Sequence, residues 1–289
     1  MKKLFVLVTI ILAAVFPSFA QKNTGLLFEI GGKGLAKPSY IFGTFHIVCE
    51  KDMLPLDKLT ALVNSSDQTI MEIDMDDPAE LQAMVAGAQS ISGKPLNELL
   101  SPEKYKKVDD VVHEYLGVSV DTMKTMKPSL IGIRILTSPK AIGCDDPSGY
   151  DLTILRASIT GHKPVMGLET VAFQSKVLEE KPIPQQAEDL YKSALDPAKY
   201  IKDFTAMIDL YKQQDVDKLA HFTAKQMKKD KEFSTAIIDD RNRSWIKKLE
   251  TAIADKPAFI AVGAGHLGGK NGVLNLLRKE GYTVKPIKI

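Results

Sequence analysis

Apolar residues change their spacing along this chain, and the change sorts it into strands at both ends with helices between. "LLFEI" and "SYIFGTFHI" flank the glycine-rich "GGKGLAKP", which predicts a hairpin between Gly25 and His46. "LPLDKLTALVNSS", Leu54 to Ser66, carries apolar residues at helical spacing. "QTIMEID", Gln68 to Asp74, is a short apolar run ending in acid, so a strand, and "KPVMGLE", Lys163 to Glu169, repeats that pattern. Between these runs the spacing is helical. Asp77 stands as an N-cap before Pro78, and Ser101 as a cap before Pro102 in a helix that stops at Gly117. Helices then fill Thr170 to about Asp255. "PAFIAVGAGH", "NGVLNLLRKEG" and "YTVKPIKI" close the chain as strand, helix and strand, a parallel crossover. The pattern predicts one α+β domain over 21–289, a mixed central sheet with a large helical insertion or cap.

Four strand ends carry polar groups that a plain core does not need. "GTFH" supplies His46, "MEID" Glu72 and Asp74, "GLET" Glu169, and "GAGH" His266. Side chains at strand ends in such sheets converge in a crevice. Two histidines with carboxylates suit a divalent zinc, manganese or iron. The glycines beside the histidines let the backbone turn sharply and leave room for a ligand. "GAGHLGG" also invites comparison with a phosphate-binding turn, but Gly263, Gly265, Gly268 and Gly269 lack the dinucleotide-loop spacing. His113, His162 and His221 sit in polar helices or a turn and read as structural. Asp151, at the start of "YDLTILRAS", is either a helix cap or a group reaching the site.

The amino terminus changes the expected location. Lys2 and Lys3, the apolar "LFVLVTIILAAVF" and the small residues Ser18 and Ala20 form a signal-peptide pattern with cleavage before Gln21. A secreted or periplasmic protein follows, with no stable membrane insertion after cleavage. In that setting Cys49 and Cys144 either form a disulfide or lie as buried thiols. The net charge is +2 over 289 residues, which argues against nucleic acid as a partner. The expected partner is a peptide or small-molecule substrate.

Together "YIFGTFHI", "IMEID", "GLET" with Gln174, "DRNRSW" and "FIAVGAGHLGGKNGVLNLLRKEGYTVKPI" resemble the TraB/GumN family, over roughly Leu26 to Ile287. That family includes the TIKI metalloproteases, and its wider superfamily is similar to erythromycin esterases and haem-binding ChaN proteins. The resemblance puts its two Gly-x-x-His motifs on Gly43/His46 and Gly263/His266. Its acidic positions fall on Glu72 and Glu169, and its Arg-Asn-x-x-Trp on Arg241, Asn242 and Trp245. It implies a secreted metal-dependent hydrolase, most simply a peptidase, using manganese, cobalt or zinc. His46 and His266 would bind the ion with Glu72 or Glu169, and the remaining carboxylate would act as base on a bound water. Arg241 would stabilise an oxyanion or grip a substrate carboxylate, with Asn242 as a weaker substitute. The alternatives are a metal-independent esterase whose histidine is held by a carboxylate, and a non-catalytic haem- or metal-binding protein.

Overall fold

The structure is a computed structural model that describes residues 23–89, 94–228 and 230–289. The signal-peptide pattern lies outside these residues.

Eight strands are present among the described residues: β1 (Leu27–Gly32), β2 (Ser39–Thr44), β3 (Val48–Cys49), β4 (Gln68–Ile73), β5 (Pro147–Ser148), β6 (Val165–Glu169), β7 (Ala258–Gly263) and β8 (Tyr282–Ile287). Six of them form one mixed sheet in the order β6-β4-β7-β2-β1-β8. The pairs β6–β4, β4–β7 and β7–β2 are parallel, and β2–β1 and β1–β8 are antiparallel. The α+β architecture, the opening hairpin and the closing strand–helix–strand agree with the sequence pattern. The closing crossover runs parallel, but it steps over β2 and β1 rather than to a neighbouring strand.

Position in the sheet accounts for each strand's composition. β7 lies at the centre, and Ala258 to Val262 are all buried, so its apolar run is continuous rather than alternating. β8 is an edge strand, with Tyr282 and Val284 inward and Thr283 and Lys285 outward. Pro286 is tolerated there because an edge strand need not offer every N–H to a ladder.

Two apolar clusters organise the packing. One wraps both faces of the sheet and includes Phe28, Phe42, Tyr150, Tyr211, Trp245, Phe259 and Leu274. The other lies within the helical cap, where helices Pro102–Leu116, Pro128–Leu136 and Ile183–Leu195 enclose Val108, Val112, Ile131 and Leu190. The predicted caps are in place. Asp77 accepts from the Ala79 N–H, Ser101 accepts from the Lys104 N–H, and Gly117 takes the left-handed conformation at φ 71°.

β3 and β5 form a separate antiparallel pair. Cys49 and Cys144 are joined by a disulfide beside it. Strand and bridge together bind the loop after His46 to the segment leading into helix Tyr150–Thr160. That juxtaposition positions one half of the site.

Candidate active site

The four parallel strands all end on the same side of the sheet, and their carboxyl ends carry the site. The β2–β7 register pairs Gly43 with Val262 and Thr44 with Gly263, so the two Gly-x-x-His motifs lie side by side. Their glycines serve mutual packing. A Cβ on Gly43 would lie 2.8 Å from Leu267 Cδ1 and 3.0 Å from Ala264. A Cβ on Gly263 would press to 3.2 Å from Glu72 Oε1. The clearance expected for a ligand is taken by the neighbouring motif and by a carboxylate.

Arg241 is the hub of the inner half. It follows a π-helical turn, Thr235–Asp240, and opens helix Arg241–Asp255. Its Nε donates to Glu169 Oε1 at 2.8 Å, and its Nη2 donates to Glu72 Oε2 at 2.6 Å and also to Glu169 Oε1. Nη1 donates to the Ile237 carbonyl at 3.1 Å and lies 3.2 Å from His266 Nε2. Gln174 Nε2 bridges the two glutamates, at 3.2 Å to Glu72 and 2.8 Å to Glu169. Trp245 Nε1 donates to Glu169 Oε2 at 2.9 Å, and the Gly263 N–H donates to Glu72 Oε1 at 2.8 Å.

Asn242 sets the proton on His266. Its Nδ2 donates to the carbonyls of His266 and Asn271, which leaves Oδ1 to face His266 Nδ1 at 2.7 Å. His266 therefore carries its proton on Nδ1 and presents a lone pair at Nε2 to Arg241. The ring packs on Trp245 with centroids 4.6 Å apart.

The outer half is built on His46. Its Nδ1 lies 2.9 Å from Asp151 Oδ2, while Thr44 Oγ1 donates to Asp151 Oδ1 at 2.9 Å. Of the two readings for Asp151, the site-facing one describes its side chain, since Gly149 stands at the N-cap position. His46, Glu72, Asp151, Gln174, Met71 and Leu152 line a cleft of 330 Å³. Arg241 and His266 lie behind this wall, 7% and 6% exposed.

The two histidines are driven in opposite directions. The Asp151 hydrogen bond raises His46 above its ordinary value, although the side chain is 74% open to solvent and water screens the pair. Burial lowers His266 to about 4, so it is neutral at pH 7. Burial alone would raise Glu72; the charges of His266, Arg241 and His46 and the Gly263 N–H outweigh it and bring the carboxyl to about 2. The His266 contribution exists only once that ring is protonated, so at neutral pH Arg241 and His46 keep Glu72 ionised.

An acid-stability signature follows. Between pH 6.5 and about 4 the unfolded chain takes up a proton at residue 266 that the native state refuses. Stability is therefore expected to fall by about 3 kcal/mol as pH drops through that window, with no further loss from this group below it. Denaturant titrations of wild type and His266→Gln across the window check this; parallel pH curves for the two would refute it.

His46, His266, Glu72 and Glu169 were expected to share a metal ion. Glu72, Glu169 and His266 do converge, but around a guanidinium. Both oxygens of Glu169 accept from Arg241, Gln174 or Trp245, and the His266 lone pair faces Arg241. Among the described residues no group of three or more His, Cys, Asp or Glu side chains is placed to hold a metal. As arranged, these donors do not fit a divalent ion, because Arg241 already supplies the cation. The Arg241 guanidinium, expected to meet a substrate, is bonded here to Glu72 and Glu169, and Asn242 is fully buried. Thr44 is the site residue that motif reading passed over, although it lies inside "GTFH".

Fold and site together define an α+β protein with a carboxylate-held histidine at a strand-end cleft, backed by a buried ionic cluster. The chain belongs to the TraB/PrgY/gumN family, whose profile matches residues 26–286. Among similar proteins, Metalloprotease TIKI1 of Danio rerio is 22% identical over 86% of this chain and 60% of its own length. Metalloprotease TIKI2 of Danio rerio is also 22% identical, over 86% of this chain and 58% of its own length. The uncharacterized protein YbaP of Shigella flexneri is 25% identical over 83% of this chain and 88% of its own length. The chain thus spans about three fifths of the two zebrafish proteins. No solved structure matched at the significance met by these relatives.

Proposed function

We propose that this chain is an exported hydrolase of peptide or ester bonds in which His46, held by Asp151, moves the proton. The observation that carries the reading is the Thr44–Asp151–His46 chain of hydrogen bonds at the edge of a cleft whose wall includes ionised Glu72. With Nδ1 committed to Asp151, Nε2 is the nitrogen left to the cleft. Neutral His46 would take a proton from water as its oxygen attacks the carbonyl carbon, and would return it to the leaving nitrogen or oxygen. Asp151 and Glu72 both favour the imidazolium formed in that step. The disulfide supports export, since such bridges persist in oxidising compartments. It agrees with the signal-peptide pattern of the first twenty residues.

Because Asp151 raises His46, the basic form is gained only above the ordinary histidine range. On a peptide library and an activated ester, kcat/KM is expected to rise with pH through a value above 6.5. Asp151→Asn should move that limb down towards 6.5 and lower the plateau. A profile that is flat or falls over this range would remove His46 as the base.

The names of the two zebrafish relatives favour a second reading, metal-dependent peptide hydrolysis. It requires the guanidinium of Arg241 to withdraw from Glu72, Glu169 and His266. Turnover abolished by exhaustive chelation and restored by manganese, cobalt or zinc would establish it over the first. Unchanged turnover would exclude it.

A further inference from the structure

We propose that the cleft beside His46 selects its substrates by a large apolar side chain next to the scissile bond, with Met84 and Leu152 as the specificity-determining residues. This inference rests on the hydrolase reading and names the substrate class of that site.

Core packing does not account for Met84. Helix Pro78–Gly87 buries none of its residues. It is moored instead by a polar contact and a close approach. Glu80 Oε2 accepts from the Val171 N–H at 2.8 Å, and a Cβ on Gly87 would come within 2.6 Å of Ser175 Oγ. Met84 is 38% exposed and lines the cleft. Leu152 is the second case. Helix Tyr150–Thr160 buries Tyr150, Ile154 and Ser158, whereas Leu152, one residue after Asp151, is 50% exposed and lines the same cleft. Ile73 and Met75, both half-buried, add to this apolar wall. Small-ligand sites combine such walls with a few fixed polar groups, here the His46–Asp151 pair. A methionine side chain adapts to partners of different shape, so the wall suits a class of side chains rather than one.

Charge narrows the class. Among the described residues, no lysine or arginine lines the cleft. Its two carboxylates are Glu72 and Asp151, and every oxygen of both is engaged. Glu72 accepts from the Gly263 N–H, Gln174 and Arg241, and Asp151 is bonded to Thr44 and His46. A basic side chain therefore meets no free carboxylate oxygen. An acidic one meets no cation but His46, whose neutral form the reaction uses, and would lie beside two anions. A charge placed there without a partner is costly, so leucine, methionine or phenylalanine is the residue that fits.

The test is cleavage-site profiling of a peptide library with the mature chain and three variants. Wild type should favour Leu, Met or Phe over Ala beside the scissile bond by at least about tenfold in kcat/KM. Met84→Lys places an ammonium in the wall and should lower the Leu-to-Glu ratio at least about tenfold. Leu152→Ala should lower the Leu-to-Ala ratio. Val85→Lys is the control: it lies on the same helix, 73% exposed and outside the cleft, and should leave both ratios unchanged. Thermal unfolding curves check that the variants fold. An active enzyme with no apolar preference beside the scissile bond would overturn the proposal and leave the hydrolase reading standing. So would a Leu-to-Glu ratio that is the same in wild type, Met84→Lys and Val85→Lys. If no peptide is cleaved, NMR of methionine methyls decides. N-acetyl-leucinamide that shifts Met75 and Met84 saturably, and binds at least about tenfold more tightly than the α-amide of N-acetyl-glutamate, would support the subsite while the hydrolase reading fails. Methyls left unmoved by both compounds would overturn it.

Discussion

Arg241→Met is expected to cost about 3–5 kcal/mol of folding stability at neutral pH, the range for removing one partner from a buried ion pair. Two carboxylates depend on this guanidinium, and Glu169 is buried. Without it, Gln174, Trp245 and the Gly263 N–H still bond the glutamates, but the guanidinium charge that offsets their burial is gone and only His46 still favours ionised Glu72. The Glu72 pKa should rise, so the deficit should shrink as pH falls and that carboxyl takes up a proton. Arg241→Lys keeps the charge but loses the planar fork that reaches both glutamates, and should fall between. Guanidinium denaturation of the three proteins at neutral and acidic pH measures this. A deficit below about 1 kcal/mol for Arg241→Met, the scale of a surface pair, would show that the cluster is not held by charge.

His46→Ala is expected to do the reverse: lower hydrolysis roughly a hundred- to ten-thousandfold and leave stability within about 0.5 kcal/mol. The ring is 74% open to solvent, and Asp151 keeps its bond from Thr44 when the ring is removed. His46→Gln should be equally inactive, since an amide cannot cycle a proton. Steady-state rates beside thermal unfolding curves separate the two effects. Retained turnover in His46→Ala would move the chemistry elsewhere in the cleft. That contrast between Arg241 and His46 would separate the site into a buried framework and an exposed group proposed to react.

Much of this arrangement is legible in the residues. Strand runs ending in His46, Glu72, Glu169 and His266 signal that polar groups gather at one edge, because parallel strands place their ends together. What local pattern does not carry is the partner each group chooses. "LETVAFQ" does not reveal that Gln174 turns back to bridge Glu169 and Glu72, which needs the β4–β6 register. Likewise "DRNRSW" marks Arg241 without saying that it faces inward, and a metal and a guanidinium make the same demand on a ring of carboxylates. β3 and β5 escape prediction because two residues carry no period. The cysteines leave bridge and thiol open until the fold sets their Cα atoms 6.0 Å apart.

The π turn at Thr235–Asp240 has a consequence for what this site tolerates. A π turn accommodates one residue more than regular winding would, and such turns recur at functional sites. Arg241, Asn242 and Trp245 lie in the helix that this turn leads into. Removing a single residue from this turn would rotate all three by about 100° about the helix axis. Glu72, Glu169 and His266 would lose their contacts together, with no side chain of the cluster altered. The reading frame of the helix is thus as much a component of the site as its chemistry, and length changes within 235–240 should be tolerated less well there than substitutions.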